Sequence, residues 1–538
     1  MLGSALPPAL ASGRAGTIAY HEVMRFVLAF AIAVSLFAQR PSSQRPEPDP
    51  APPASPQTAA APAKPAPPEP APIVTEHELK LSGRTLKYKA TAGRLPLVNE
   101  KTGQTEAHVF FMAYTLDTPT PKAERPLMFS FNGGPGAASV WMHLGMIGPK
   151  RVKLNQDGSY PPPPFRLLDN EQTFLDFADL VFIDTVGTGY SRAATPELGK
   201  KFYGVDGDIE SVGEFIRLYL TRNNRWTSPL FVIGESYGTF RAAGVAGYLV
   251  NKGIAFNGVL LVSSILNFQT TSTLPGNDLP YLSLLPSMTA TSWYHKKLPA
   301  DLQGDFEKAV REAESYAANE YPSILFKGDR LNAAERTAAV AKLARLTGLD
   351  KTYIDRANLR VTLFGYAKEL LRAEGKIVGR LDSRLTALVG SDNGDSQDFD
   401  PLITAIVPPY RAMAADYLAN ELGYKSDLDY YVLGGGIGPW DYGREGRSGR
   451  QTQEALRQAF LMNPHMRLFV ASGYYDFGTP YFGTEFTLSH LGLPASYGKQ
   501  MVTKLYDAGH MMYIHTGELN KVAADIKAFV QTSVPASK

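Results

Sequence analysis

A chain of 538 residues with net charge +2 and charges of both signs interspersed carries no basic stripe that would mark a binder of nucleic acid. It contains no cysteine, which excludes disulfides, thiolate metal ligands and a cysteine nucleophile. Its nine histidines form no His-Glu-x-x-His pattern, so no metal or other cofactor is expected.

In chain order, the first readable segment is Met24-Arg25 followed by the apolar run Phe26 to Ala38. A charged start and a short apolar stretch form the pattern of a secretory signal, since a membrane span needs about 20 apolar residues. Ala38 offers a cleavage position, although Leu36 is larger than the small residue preferred two places before it, and Met24 competes with Met1 as the true start. The expectation is an exported protein, periplasmic or secreted, with no stable membrane span after cleavage; an uncleaved amphipathic anchor is the alternative. Residues 1–40 are thus a leader region. Residues 41–72 are mostly Pro and Ala and read as an extended linker that buries too little apolar surface to fold.

From 73 to 116 apolar and polar positions alternate, as in Glu78-Leu79-Lys80-Leu81, which predicts a small antiparallel opening. Short apolar runs then predict strands buried on both faces at Leu127–Phe131, Leu180–Ile183, Leu230–Ile233, Val259–Val262, Leu468–Val470 and Val502–Tyr506. Helix-length segments at 205–222 and 237–251 separate several of them. The fold class is therefore α/β, a mostly parallel sheet with flanking helices. Helical patterns at Asp305–Ala318, Ala333–Leu346 and Ala367–Glu374 interrupt the alternation, so 268–440 reads as a mainly helical cap inserted between a first core segment, 73–267, and a second, 441–538.

Gly234-Glu235-Ser236-Tyr237-Gly238 fits a Gly-x-Ser-x-Gly elbow, with a strand before it and a helix after it. The turn lifts a serine hydroxyl out of the sheet, and flanking glycines remove side chains that would clash there. This is the signature of the α/β-hydrolase fold and makes Ser236 the candidate nucleophile. A serine hydroxyl needs a base, itself oriented by a carboxylate, and in this fold they follow in the order Ser, acid, His. His510 stands after a strand and a glycine, where these sheets place catalytic groups; His465, His490 and His515 lack that placement. Asp476, just past another strand, is the candidate acid, with Asp507 as the rival only three residues from His510. A tetrahedral oxyanion needs two backbone donors, expected from Tyr237 and from the loop Asn132-Gly-Gly-Pro-Gly136.

Four segments then occur in consistent order: Asn-Gly-Gly-Pro-Gly-Ala-Ala-Ser (132–139), Ile-Asp-Thr-Val-Gly-Thr-Gly-Tyr-Ser (183–191), Gly-Glu-Ser-Tyr-Gly (234–238) and Gly-His-Met (509–511). Together they resemble the serine carboxypeptidase family over roughly 73–535. The resemblance implies a triad of Ser236, Asp476 and His510, with an oxyanion hole from the Gly134 and Tyr237 amides. It also implies that Asn132 and Glu235 bind the free C-terminal carboxylate of a peptide substrate. A protonated Glu235 can donate to that carboxylate whereas an ionised one repels it, which implies activity favoured at acidic pH. Three positions depart from the family: Ser130 stands for the usual Trp, Ala137 for a Cys, and Met146 for a second glutamate at the substrate carboxylate.

Met146 and Ser130 keep a second reading open, an aminopeptidase, esterase or acyltransferase of the same fold; a third is an inactive hydrolase scaffold that binds. Gly434–Gly438 is glycine-rich without a phosphate-loop lysine, and Pro161–Pro164 reads as a rigid turn. Trp141, Trp293, Tyr294 and Trp440 are divided between cleft and core by nothing in the sequence.

Overall fold

The first hairpin shows how local chemistry sets the architecture. Strand β1 (Ile73–Leu81) turns through Ser82-Gly83, both at positive φ, into β2 (Arg84–Val98), with Leu81 opposite Arg84. Two such residues give the tight turn that matches strand twist. Leu79, Leu81, Leu86 and Tyr88 point into the core while the residues between them stay exposed or half-buried. Strand β3 (Thr105–Leu116) completes an antiparallel meander. The structure is a computed structural model that describes residues 70–389 and 399–534; the leader and nearly all of the linker lie outside the described residues.

The remaining strands of the main sheet are β4 (Leu127–Phe131), β5 (Asp179–Ile183), β6 (Leu230–Glu235), β7 (Gly258–Val262), β8 (Arg467–Gly473) and β9 (Met501–Tyr506). Their order is β1-β2-β3-β5-β4-β6-β7-β8-β9, with a two-residue strand at Arg192–Ala193 alongside β3. From β5 to β9 every pairing is parallel. Every residue of β4, β5, β6 and β7 is buried, as expected of strands covered on both faces. Helices α1 (Val205–Arg222) and α2 (Tyr237–Val250) pack with one face of the sheet, and the C-terminal α7 (Thr516–Ser533) buries Leu519, Val522 and Ile526 in the cluster on the other.

Register positions the site. Phe131 lies opposite Gly234, Glu235 opposite Val262, and Gly473 opposite Tyr506. The carboxyl ends of β4, β6, β7, β8 and β9 therefore finish along one edge, and the loops beginning at Asn132, Ser236, Ser263, Tyr474 and Asp507 emerge there together. That edge is where parallel sheets gather their ligands.

The stretch 268–440 contributes to two cores. Helices α3 (Leu279–Tyr294), α4 (Phe306–Asn319) and α5 (Ala333–Thr347) share a cluster that includes Met288, Tyr316, Leu343 and Phe477. Helix α6 (Pro401–Asp416) instead buries Leu402, Ile406 and Tyr410 with Trp141 and Tyr513 beneath the sheet edge. The helix expected at Ala367–Glu374 runs from Leu363 to Glu369, because Thr362 caps it by accepting from the Gly365 amide at 3.1 Å; a single 3₁₀ turn follows at Arg372–Glu374. No helix among the described residues is long and apolar enough to cross a membrane.

Candidate active site

The elbow is as tight as the glycine spacing predicted. Ser236 has φ +60 and ψ −131, a conformation costing on the order of 1–3 kcal/mol for a non-glycine residue. Its amide is tied to the Val262 carbonyl at 3.0 Å, and its carbonyl accepts from the Thr239 hydroxyl at 2.7 Å. A side chain at Gly234 would strike the Gly238 carbonyl, and one at Gly238 would lie 2.9 Å from the Phe131 carbonyl. Ser236 itself is half-buried, whereas Glu235 and Tyr237 on either side are buried.

The loop after β4 folds directly onto this turn. A Cβ at Gly133 would run into the Tyr237 amide, and Gly134 sits at φ +101, so both positions require glycine. Tyr237 opens α2, where its amide has no intrahelical acceptor. Buried Arg241 secures the junction. It donates to Asp208 Oδ2 at 2.7 Å and to the Asn132 carbonyl at 2.6 Å, and its guanidinium lies over the rings of Phe131 and Tyr237. Behind the loop, buried Asp184 accepts from both the amide and the hydroxyl of Ser139 at 2.8 Å. The glycine-rich segment 434–438 lies against the same loop: the Gly434 amide donates to the Gly136 carbonyl, and Ile437 fills the space beside Gly136 and Gly187. Its glycines allow this close approach.

On the other side, the His510 Nδ1 proton is donated to Asp476 Oδ2 at 2.7 Å. Asp476 is fully buried, and its other contacts come from the Gly478 amide, the Thr479 amide and the Thr479 hydroxyl, at 2.7, 3.1 and 2.6 Å. The histidine backbone is clamped as well. Its amide donates to the Leu381 carbonyl at 2.6 Å, and its carbonyl accepts from the Ser263 hydroxyl at 2.6 Å. Asp507 is exposed and its carbonyl accepts from Arg384, while the imidazole bonds Asp476. An imidazole oriented this way keeps Nε2 as its basic nitrogen. Burial alone disfavours the imidazolium, but the Asp476 carboxylate and Glu235 outweigh it, so the His510 pKa is raised.

Next to His510 is a second buried group. Asn132 Nδ2, Glu235 Oε2 and Tyr513 Oη interact, yet none makes a well-formed hydrogen bond, although all three are shielded from solvent. Asn132 spends its Oδ1 on the Met142 amide at 3.1 Å, which turns Nδ2 toward Glu235. Burial pushes the Glu235 carboxyl up to about 7, against the opposing influence of His510. Met146 is fully buried; the turn carrying it presses Gly145 against the Tyr513 ring and the Tyr410 hydroxyl. Tyr513, three residues past His510, is the member of this group that sequence reasoning missed. Of the four undecided aromatics, Trp141 is core against Tyr410 and Trp293 packs on Phe306. Trp440 meets Tyr237 edge-on, and Tyr294 meets Tyr475 edge-on with half its surface exposed.

Residues 84–321 match the family model described as serine carboxypeptidase. Over that stretch, which is less than half of the chain, it is similar to the serine carboxypeptidase family. It is 32% identical to the pheromone-processing carboxypeptidase KEX1 of Saccharomyces cerevisiae over 159 residues, which is 27% of this chain and 20% of that protein. It is 31% identical to serine carboxypeptidase-like 8 of Arabidopsis thaliana over 138 residues, 25% of this chain and 30% of the plant protein. The matched stretches thus span less than a third of these relatives. The crystal structure of the yeast prohormone-processing carboxypeptidase KEX1 aligns with 82% of this chain and 91% of its own at a TM-score of 0.54 and 17% identity, a likeness of fold. The family match covers Asn132 to Gly136 and Glu235 to Tyr237; Asp476 and His510 lie beyond it and reach the site through the fold.

Proposed function

We propose that the protein is a serine carboxypeptidase acting through an acyl-enzyme on Ser236. Ser236 Oγ attacks the carbonyl of the last peptide bond while His510 Nε2 takes its proton, and Asp476 holds the resulting imidazolium. The Gly134 and Tyr237 amides receive the oxyanion. The C–N bond then breaks, with the proton passing from His510 to the departing amine. Water, deprotonated by His510, hydrolyses the ester and restores the serine.

One observation carries the choice of substrate end: Asn132, Glu235 and Tyr513 gather in a buried group beside His510 with no well-formed hydrogen bond among them. Buried donors without well-formed bonds are costly, and a substrate carboxylate supplies a better-placed acceptor. Asn132 Nδ2, the Tyr513 hydroxyl and a protonated Glu235 can each donate to it. Because Glu235 ionises at about 7, recognition of a free C-terminus belongs to the acidic side of neutrality. Export, supported by the Phe26–Ala38 run, belongs to the same proposal and is checked by N-terminal sequencing of the mature protein.

Met146 supports a second reading, in which the acyl chemistry is kept but the substrate is an ester or an N-terminal peptide bond. The test uses N-blocked peptides, N-free C-amidated peptides and a simple ester, with Ser236→Ala as the control. Release of residues from blocked peptides with a free C-terminus is the expected result. Turnover confined to amidated peptides or esters would favour the second reading. Failure of any active-site-directed phosphonate to label Ser236 would sink both and leave a non-catalytic scaffold.

A further inference from the structure

A cavity of about 230 Å³ adjoins the Asp476 loop and shares no lining residue with the Asn132, Glu235 and Tyr513 group. Its apolar walls include Leu284, Phe364 and Phe477, and two guanidiniums, those of Arg380 and Arg447, line it with no carboxylate among the lining residues. Arg380 immediately precedes Leu381, whose carbonyl holds the His510 amide. A Cβ placed on Gly478, two residues past Asp476, would lie 3.3 Å from Arg380 Nη1, so the guanidinium stands against the catalytic acid's own loop. Arg447 lies over the Phe268 ring at 5.1 Å, and Phe268 stacks on Tyr237, the residue after the nucleophile. The cavity is therefore framed by the Asp476 loop on one side and, through Arg447 and Phe268, backs onto Tyr237 on the other.

Other arginines in this part of the chain are matched. Arg345 reaches Asp301 and Glu312, Arg360 reaches Asp278, and Arg384 reaches Asp382. Among the described residues the Arg380 and Arg447 side chains have no ion pair and no hydrogen bond. Two unmatched guanidiniums beside apolar walls form a planar, always-charged donor set without an acceptor. A carboxylate is the group that accepts paired hydrogen bonds from such a fork.

We propose that this cavity is a substrate side-chain subsite and that it selects an aspartate or glutamate flanking the scissile bond. The inference rests on the carboxypeptidase reading above and adds the substrate class to it. Phe364 and Phe477 pack the methylene portion of the acidic side chain while Arg380 and Arg447 take its carboxylate.

The test compares blocked peptides that differ only in Glu or Gln at each of the two residues flanking the bond, in wild type, Arg380→Gln and Arg447→Gln. At one of these positions wild type should prefer Glu over Gln by about 10- to 100-fold in kcat/KM, the range for a charge-assisted pair, and each variant should bring that ratio close to one. Arg380→Glu should turn the preference toward Lys. Calorimetric binding of the same peptides to Ser236→Ala needs no turnover and separates the two claims. Glu-selective binding without hydrolysis by wild type would overturn the carboxypeptidase reading and leave the subsite standing. Equal binding of Glu and Gln peptides overturns the subsite. A loss in Arg380→Gln that is equal for every free-acid peptide would assign the guanidinium to the terminal carboxylate and overturn it as well.

Discussion

The two halves of the candidate site are built by different means. The elbow and the loop after β4 are made almost wholly of backbone: Ser236 at positive φ, Gly133 against the Tyr237 amide, Gly134 at φ +101. The half containing Asp476 and His510 is made of side chains gathered from distant segments, with Leu381 and Ser263 holding the histidine and Thr479 holding the acid. A backbone site depends on which residues can be absent of side chain, so it leaves a compact signature. A side-chain site depends on convergence, and its signature is spread over more than two hundred residues. The family match follows much the same division, since it ends at 321 and of the second half includes Ser263 but not Leu381, Asp476, Thr479 or His510.

Perturbing each half should separate the two kinds of construction. The largest effect is expected on the convergent side: Asp476→Asn should leave the fold intact but lower kcat by about 10⁴-fold, because the imidazole loses its oriented tautomer. Stopped-flow acylation with an activated ester checks this, and a loss below tenfold would break the assignment of Asp476. On the backbone side, Gly133→Ala should lower kcat by about 10²–10³-fold with KM little changed, since its methyl group displaces the donor at Tyr237. A variant with unchanged kcat would remove this loop from the oxyanion site.

The pH dependence probes the group between the halves. Below about 7 the Glu235 carboxyl is neutral and can donate; above it the anion repels a substrate carboxylate, so kcat/KM for a free C-terminus should fall about tenfold per pH unit on the alkaline limb. The raised His510 pKa sets the acid limb, because a protonated imidazole cannot act as base. Glu235→Gln should abolish the alkaline limb and leave the acid limb in place, since the Glu235 carboxyl is already neutral below about 7. A profile identical to wild type would remove Glu235 from substrate recognition. The smallest effect is expected from Tyr513→Phe, about a tenfold rise in KM for free-acid peptides with ester turnover unaffected, the size of one neutral hydrogen bond. Equal loss on esters would make Tyr513 a packing residue only.

Much of the sheet was legible because its strands carry their signal locally. Leu127–Phe131 and the helix at 205–222 begin and end where their apolar runs do, and each parallel strand needs only to be apolar on both faces. The helix expected at Ala367–Glu374 was misplaced because its start depends on the Thr362 cap rather than on apolar spacing. Arg241 went unremarked in sequence, since an arginine in an apolar helix has meaning only once Asp208 and the Asn132 carbonyl are beside it. Gly434–Gly438 had no meaning by itself either; its glycines serve an approach to Gly136 and Gly187, which are far away in the chain.

What the sequence determined by itself was the parallel sheet, the strained serine turn and the glycine loop that faces it, because each depends on neighbours in the chain. Tertiary structure decided which aspartate meets His510, that Tyr513 joins Asn132 and Glu235, and that α6 belongs to the core beneath the sheet edge. It also decided that Arg380 and Arg447, 67 positions apart, line one cavity. The physical reason is one of range. Backbone conformation is set within a few residues, whereas a buried charge or an unpaired donor acquires its role only from the groups that packing brings against it.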